Sequence, residues 1–249
     1  MRENLVIIPT YNERENINAI LEKVLSLPIR FDVLIVDDGS PDGTAEIVKE
    51  KINQYPEQIF IEERSGKMGL GTAYIHGFKW ALQRDYAYVY EMDADFSHNP
   101  DDLVRLYQAC SQERYDLAIG SRYIRGVNVV NWPIGRVLMS YFAGVYVRFV
   151  TRMPIMDPTG GFICYTKQVL TTIPLDKITF VGYAFQIEMK FNAYLYGFKH
   201  IEVPIIFTDR TKGTSKMSTK IFREAVFGVL LMKVWSLFKN FSRSSIKSN

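Results

Sequence analysis

Two aspartates stand two residues apart in "EMDADFSHNP" (Glu91–Pro100), directly after the aromatic, apolar run Tyr86–Tyr90. In extended backbone, residues i and i+2 point the same way, so Asp93 and Asp95 can face one point at a strand's end. Carboxylates that close repel each other. Mg2+ or Mn2+ would relieve the repulsion, since these ions take oxygen ligands, typically one or two carboxylates plus substrate phosphates. Alone, a D-x-D pair reads as readily as two solvated acids, one of them helping to cap the next helix.

The neighbours of this pair decide between the readings. Asp37 and Asp38 close another apolar run, ahead of "GSPDGT". In doubly wound sheets an acid there often holds a ribose or base; the plainer reading is a turn with Ser40 capping a helix. "GLG" (69–71), at a helix start, offers backbone N–H groups to phosphate or is a simple turn. Arg122, Arg136 and Arg210 read as surface arginines one at a time. Their planar forks nevertheless suit phosphate oxygens, and Arg136 heads an apolar helix, which suits a phosphate joined to a greasy chain. Other catalytic frameworks are missing from the sequence. His76, His98 and His200 form no HExxH, and there is no G-x-S-x-G and no Walker A pattern. His98 reads as a residue that orients its loop.

The elements that position these groups alternate. Strand-like runs at 4–9, 31–38, 58–63, 86–93 and 116–123 are separated by helical patterns. Ile17, Ile20, Leu21, Val24 and Leu25 mark the first helix. Ser40 and Pro41 suit the start of the second, as Asn99 and Pro100 suit the start of a helix over 99–110. Such alternation implies an α/β fold, a mostly parallel sheet flanked by helices, with ligands bound beyond the carboxyl ends of the strands. "PTYNE", "DDGS", "DAD" and "SRY" all fall at such ends. The second half is less regular: an apolar helix over 135–153, a strand at 160–167, a helix at 182–198, a strand at 200–207 and a helix over 218–241.

Composition is that of an ordinary globular chain of 249 residues, 47% apolar and 23% charged. Cys110 and Cys164 have no metal-ligand spacing and read as reduced core thiols. The first residues carry no signal-peptide pattern, and neither apolar helix has an uncharged run long enough for a membrane span. Charge is uneven: residues 212–249 hold eight Lys or Arg against one acid, net +7, which leaves −4 for the rest of a +3 chain. A basic end on a mildly acidic body points to an anionic partner or a solvated helix and tail; no nucleic-acid partner is expected.

Together these residues resemble a family 2 glycosyltransferase of the GT-A fold, and within it the polyprenol-phosphate (dolichol-phosphate) mannose synthases. The resemblance is carried by "PTYNERENI", "VDDGSPDGT", "GLGTAYIHGFK", "MDADFSH", "GSRY", "DPTGGF", "GYAFQIEM" and "VPIIFTDRTKGTSK", in order over nearly the whole chain. It implies a GT-A domain over 1–211 and a basic amphipathic membrane-interface helix and tail over 212–249. It also implies roles: Pro9, Tyr11, Glu13, Val36 and Asp38 for the nucleoside; Asp93, Ala94 and Asp95 for ribose, diphosphate and metal, with Asp95 the principal ligand. Ser97 stands where related enzymes often carry glutamine, and would act on the metal through water. Arg122, Arg136 and Ser140 match an acceptor-phosphate site, and Arg210 an arginine near the diphosphate.

The implied reaction moves mannose from GDP-mannose to a polyprenyl (dolichyl or undecaprenyl) phosphate with inversion. A phosphomonoester, with a second pKa of ~6, can attack without a dedicated base. UDP-glucose as donor, or a sugar hydroxyl as acceptor, is the alternative, as is a non-catalytic nucleotide-binding subunit. The implied location is peripheral, on the cytoplasmic face of the membrane, held by helix 135–152 and the basic helix 218–241 through anionic lipid, or by small membrane subunits.

Overall fold

The computed structural model describes residues 2–182, 184–209, 219–238 and 241. Its first half alternates without exception: β1 (Asn4–Thr10), α1 (Arg14–Leu25), β2 (Asp32–Asp37), α2 (Thr44–Gln54), β3 (Ile59–Glu63), α3 (Leu70–Leu82), β4 (Tyr88–Glu91), α4 (Asp102–Ser111) and β5 (Leu117–Ser121). Then come β6 (Val129–Val130), α5 (Ile134–Thr151), β7 (Ile163–Thr166), α6 (Lys167–Thr172), α7 (Ala184–Leu195), β8 (His200–Pro204), β9 (Phe207–Thr208) and α8 (Thr219–Ser236).

Seven strands form one sheet in the order β3-β2-β1-β4-β7-β5-β8. Only β7 runs against its neighbours β4 and β5, so the ends of β1, β2, β4 and β5 face one side, as expected of a mostly parallel sheet. β6 and β9 form a separate two-stranded parallel pair. Period-two alternation sends Leu5, Ile7, Leu34 and Val36 into one core layer and Val6, Ile8, Val33 and Ile35 into the other. The first layer takes side chains from α3 and α7; the second takes Ile17, Ile20, Leu21 and Val24 of α1 and the buried face of α4. α8 packs on α5 and α7.

Several boundaries differ from the sequence reading, each for a local reason. α2 starts at Thr44 rather than at Ser40 and Pro41. The Ser40 hydroxyl donates to Asp37 Oδ1 at 2.6 Å and so closes the turn after β2, while Asp42 Oδ1 accepts from the Thr44 amide. α4 starts at Asp102, because Asn99 Oδ1 accepts from the Asp101 amide in a turn ahead of the helix. β4 stops at Glu91, two residues short of the aspartates. Cys110 and Cys164 are free and buried.

Candidate active site

β4 delivers the chain to a tight loop. Phe96 has φ +59, a left-handed conformation that costs a bulky residue energy and recurs at functional loops. The bend returns the Ser97 amide to Asp95 Oδ1 at 3.0 Å. His98 Nδ1 accepts the Asp93 amide at 3.3 Å, and the ring stacks on Phe162 at 4.9 Å between centroids. His98 therefore orients the loop, as its position in the sequence implies. Burial pulls its pKa down to about 4 against the opposing charge of Asp95, so the ring is neutral at pH 7. Asp93 and Asp95 thus reach the site from a turn rather than from an extended strand.

A cavity of about 470 Å³ opens beyond this loop. It brings together Asp93, Asp95, Ser97, Arg122, Arg136 and Ser140. Arg122 follows the last residue of β5, and Arg136 and Ser140 lie one turn apart on α5. The remaining wall includes Met139, Phe142, Tyr146 and Val147 of α5 and Val226 and Val229 of α8. The lining thus combines the acids Asp93 and Asp95, the arginines Arg122 and Arg136, and a greasy wall from two helices joined by the Tyr146 hydroxyl, which donates to the Val226 carbonyl at 2.9 Å.

Both arginines have carboxylate partners that the sequence reading missed. Arg122 is forked onto Asp157 at 2.7 and 2.6 Å and donates to Thr159 at 2.8 Å. Burial would raise the Asp157 pKa, yet the guanidinium holds it below the usual carboxylate range. Arg136 binds both oxygens of Asp209 at 2.9 and 3.0 Å, with its guanidinium 4.0 Å from the centre of the Trp132 ring. "DPTGGF" carried a signal for Asp157, a single acid in an apolar stretch; nothing marked Trp132.

Pro9, Tyr11, Glu13, Val36 and Asp38 do not line this cavity. They gather at the carboxyl ends of β1 and β2, where Pro9 and Val36 are register partners. Asp38 accepts from Arg64 Nε at 2.7 Å, another partner that was missed. Asp37 binds Thr10 and Ser40 and so shapes the turn. Val36 and Ala94 bury their side chains in the core, and Val36 is paired on both sides in the sheet, with β1 and with β3. The "GLG" segment has a packing explanation: the Gly71 amide donates to the Val181 carbonyl at 2.9 Å, and a Cβ on Gly71 would lie 2.8 Å from the Phe180 carbonyl oxygen. Arg210 lies outside the described residues, as does the 211/212 boundary.

Beside the acids lies a buried polar cluster. Gln186 donates to Glu91, and Lys190 donates to the carbonyls of Pro158 at 3.1 Å and Gly160. Burial raises the Glu91 pKa to about 8 against the pull of Gln186 and Lys190. It lowers that of Lys190 to about 8 against Asp157 and Glu91.

This arrangement of paired acids at strand ends in a mostly parallel sheet matches what comparison with known proteins finds. The family model described as "Glycosyl transferase family 2" matches residues 5–173. The chain belongs to glycosyl transferase family 2. It is 46% identical over 228 residues to the polyprenol monophosphomannose synthase of Mycolicibacterium smegmatis, covering 92% of this chain and 86% of that one. It is 42% identical over 225 residues to the undecaprenyl-phosphate mannosyltransferase of Micrococcus luteus, covering 90% and 91%. Among solved structures, glucosyl-3-phosphoglycerate synthase from Mycobacterium tuberculosis, in complex with Mn2+, UDP and glucosyl-3-phosphoglycerate, superposes with a TM-score of 0.67 at 16% identity, over 93% of this chain and 80% of that one. A mannosyltransferase from Pyrobaculum calidifontis in complex with GDP-Man and Mn2+ gives 0.56 at 16% identity, over 98% and 73%. These structures share the GT-A fold with this family 2 glycosyltransferase. Among the described residues, no helix is long and apolar enough to cross a membrane.

Proposed function

We propose that this glycosyltransferase moves mannose from GDP-mannose to a polyprenyl phosphate, with inversion, at a membrane surface. The observation that carries the reading is one cavity lined at once by two acids, two arginines and an apolar wall from α5 and α8. An acceptor made of a phosphate and a long hydrocarbon needs both the arginines and the wall. The names of the two relatives above agree with that acceptor.

The acids fit a divalent ion. Two carboxylates leave room for the diphosphate oxygens that Mg2+ or Mn2+ usually takes as further ligands. Ser97 lines the same cavity, with its Oγ buried and without a hydrogen-bond partner among the described residues. Bound by Asp93 and Asp95, such an ion would offset the charge that grows on the leaving diphosphate.

The chain's own residues do the rest. Arg136 and Ser140 receive the acceptor phosphate, and the phosphate must share Arg136 with Asp209. Arg122 is held rigidly by Asp157 and contributes its remaining N–H groups more than net charge. The phosphate is mostly ionised at neutral pH and attacks the anomeric carbon directly, so no side chain has to remove a proton. Pro9, Tyr11, Glu13, Val36 and Asp38 hold the nucleoside beside the acids, and Arg210 approaches the diphosphate.

Exposed apolar side chains recur along one face of α5, with Ile134 at 73%, Phe142 at 60% and Phe149 at 84% exposure, and along α8, with Phe227 at 62%. These faces suit peripheral contact with lipid, reinforced by the basic end of the chain. The test combines the purified protein, polyprenyl phosphate and Mg2+ or Mn2+ with labelled GDP-mannose or UDP-glucose. Label from GDP-mannose should pass into an organic-extractable lipid, and protein should float with anionic liposomes at low salt. Transfer from UDP-glucose alone sinks the donor assignment; a protein that stays at the bottom of the gradient sinks the peripheral one.

A further inference from the structure

Trp132 lies in the short link from β6 to α5 and lines the cavity. Asn131 before it has φ +63, a left-handed conformation that asparagine adopts more readily than most residues. Pro133 after it is the N-cap of α5. Both arginines of the cavity approach the indole ring. Arg136 Cζ stands 4.0 Å from its centre and Arg122 Cζ 5.6 Å, each within cation–π range. Phe207 meets the same ring edge-on at 5.4 Å.

The two arginines are not held alike. Arg122 bonds Asp157 through two nitrogens, Nε and Nη2, and that fork fixes its plane. Arg136 gives both of its bonds to Asp209 from one nitrogen, Nη1. Such a grip fixes a point and lets the guanidinium plane swing about it, and an arginine side chain has the rotamer freedom to do so. Asp209 therefore cannot set the plane of Arg136, whereas a ring stacked at 4.0 Å can. Ring and carboxylate reach Arg136 from one corner, since the Asp209 amide donates to the Val130 carbonyl at 3.0 Å, two residues before Trp132.

We propose that Trp132 is a positioning residue for the acceptor phosphate. Its ring holds the Arg136 guanidinium in one plane, so that the nitrogens not bound to Asp209 meet the phosphate oxygens already aligned. Planar recognition of phosphate depends on that alignment, and fixing it before binding removes an ordering cost. Trp132 acts through Arg136 and need not touch the phosphate itself. The inference rests on the lipid-phosphate reading above and deepens it.

The test is a double-mutant cycle of Trp132→Leu with Arg136→Ala, run with whichever of GDP-mannose and UDP-glucose the protein uses. It reads kcat, KM for the donor and KM for two acceptors, a long and a short prenyl phosphate. Trp132→Leu should raise the KM for both acceptors by about fivefold, the worth of one cation–π contact, and leave the donor KM unchanged. In the Arg136→Ala background it should add nothing, because Arg122 is already fixed by Asp157. Trp132→Phe keeps an aromatic face and should restore most of the loss. Trp132→Met fills the gap without such a face and repeats the cycle should the leucine variant fail to fold. An equal loss with and without Arg136, a loss confined to the long acceptor, or a loss in the donor KM overturns the proposal. So does a phenylalanine variant as impaired as the leucine one. A wild type that transfers sugar to neither prenyl phosphate sinks the lipid-phosphate reading, and the proposal with it; an active wild type matched by Trp132→Leu sinks the proposal alone.

Discussion

The acids and the arginines of the cavity rest on different kinds of chain. The acids come from β1 to β4, where strands and helices alternate and all strands are parallel. Their side chains are set by local bonds: Ser97 to Asp95 across two residues, Asp93 to His98 across five. The arginines come from β5 onward, with a reversed strand, a detached strand pair and two helices that keep apolar faces exposed. They are set by ion pairs spanning 35 residues, Arg122 to Asp157, and 73 residues, Arg136 to Asp209. Local backbone can place an acid by itself; the arginines are placed only once distant chain has folded around them. Chemistry and stability should therefore separate at Asp95 and mix at the buried Arg122.

The largest expected effect tests the acids. On the metal role proposed for it, Asp95→Ala should lower sugar transfer about a thousandfold, the equivalent of several kcal/mol of transition-state stabilisation. Its stability cost should stay near ~1 kcal/mol, the worth of one buried amide bond. Turnover and urea unfolding measured together check this, and a variant with wild-type turnover breaks the metal assignment.

The two arginines sharpen the contrast. Arg122→Ala leaves Asp157, whose side chain is 0% exposed, without its counter-charge; that should cost about 3–5 kcal/mol of stability. Arg136 and Asp209 are about a quarter exposed, so Arg136→Ala should cost ~1 kcal/mol or less. It should instead raise the KM for lipid phosphate by about tenfold, the worth of one charge-assisted bond. Equal destabilisation by the two substitutions, read from denaturant midpoints, would dissolve the distinction between a held and a shared arginine.

The same contrast governs what could be read from the sequence. β1 through β5 and the helix faces of α1 were legible because period two and period 3.6 are local patterns, and the acids at the strand ends came with them. The arginines were legible as residue types. Their partners were not, because no spacing links Arg122 to Asp157 or Arg136 to Asp209. The start of α2 was misjudged because Ser40 serves Asp37 instead of the helix, a choice decided by the β1–β2 junction. Gln186 and Lys190 escaped notice inside "FQIEMK", where a helical pattern hid the fact that this helix buries its polar side chains as well as its apolar ones.

Lys190 offers the finest test, because it binds α7 to the segment that carries Asp157 through the Pro158 and Gly160 carbonyls. Burial lowers its pKa from 10.5 to about 8, against the charges of Asp157, Glu91 and Glu202 and with that of Arg122. Between pH 8 and 10.5 the unfolded chain therefore binds more protons at this site than the folded one, so this group's contribution to stability rises with pH across that window. Below pH 8 the ammonium is charged in both states and the contribution is flat. Buried tyrosines whose pKa values burial raises, Tyr86 among them, oppose the rise as pH passes 10, so the readout is the difference from Lys190→Met. Guanidinium unfolding from pH 7 to 9.5 should show wild type gaining stability relative to K190M above pH 8 and running parallel to it below. A difference that is constant across the range would mean that the folded Lys190 ammonium keeps its ordinary pKa, and that its three carbonyl acceptors, with Gln186 as the third, fully replace the water it has lost.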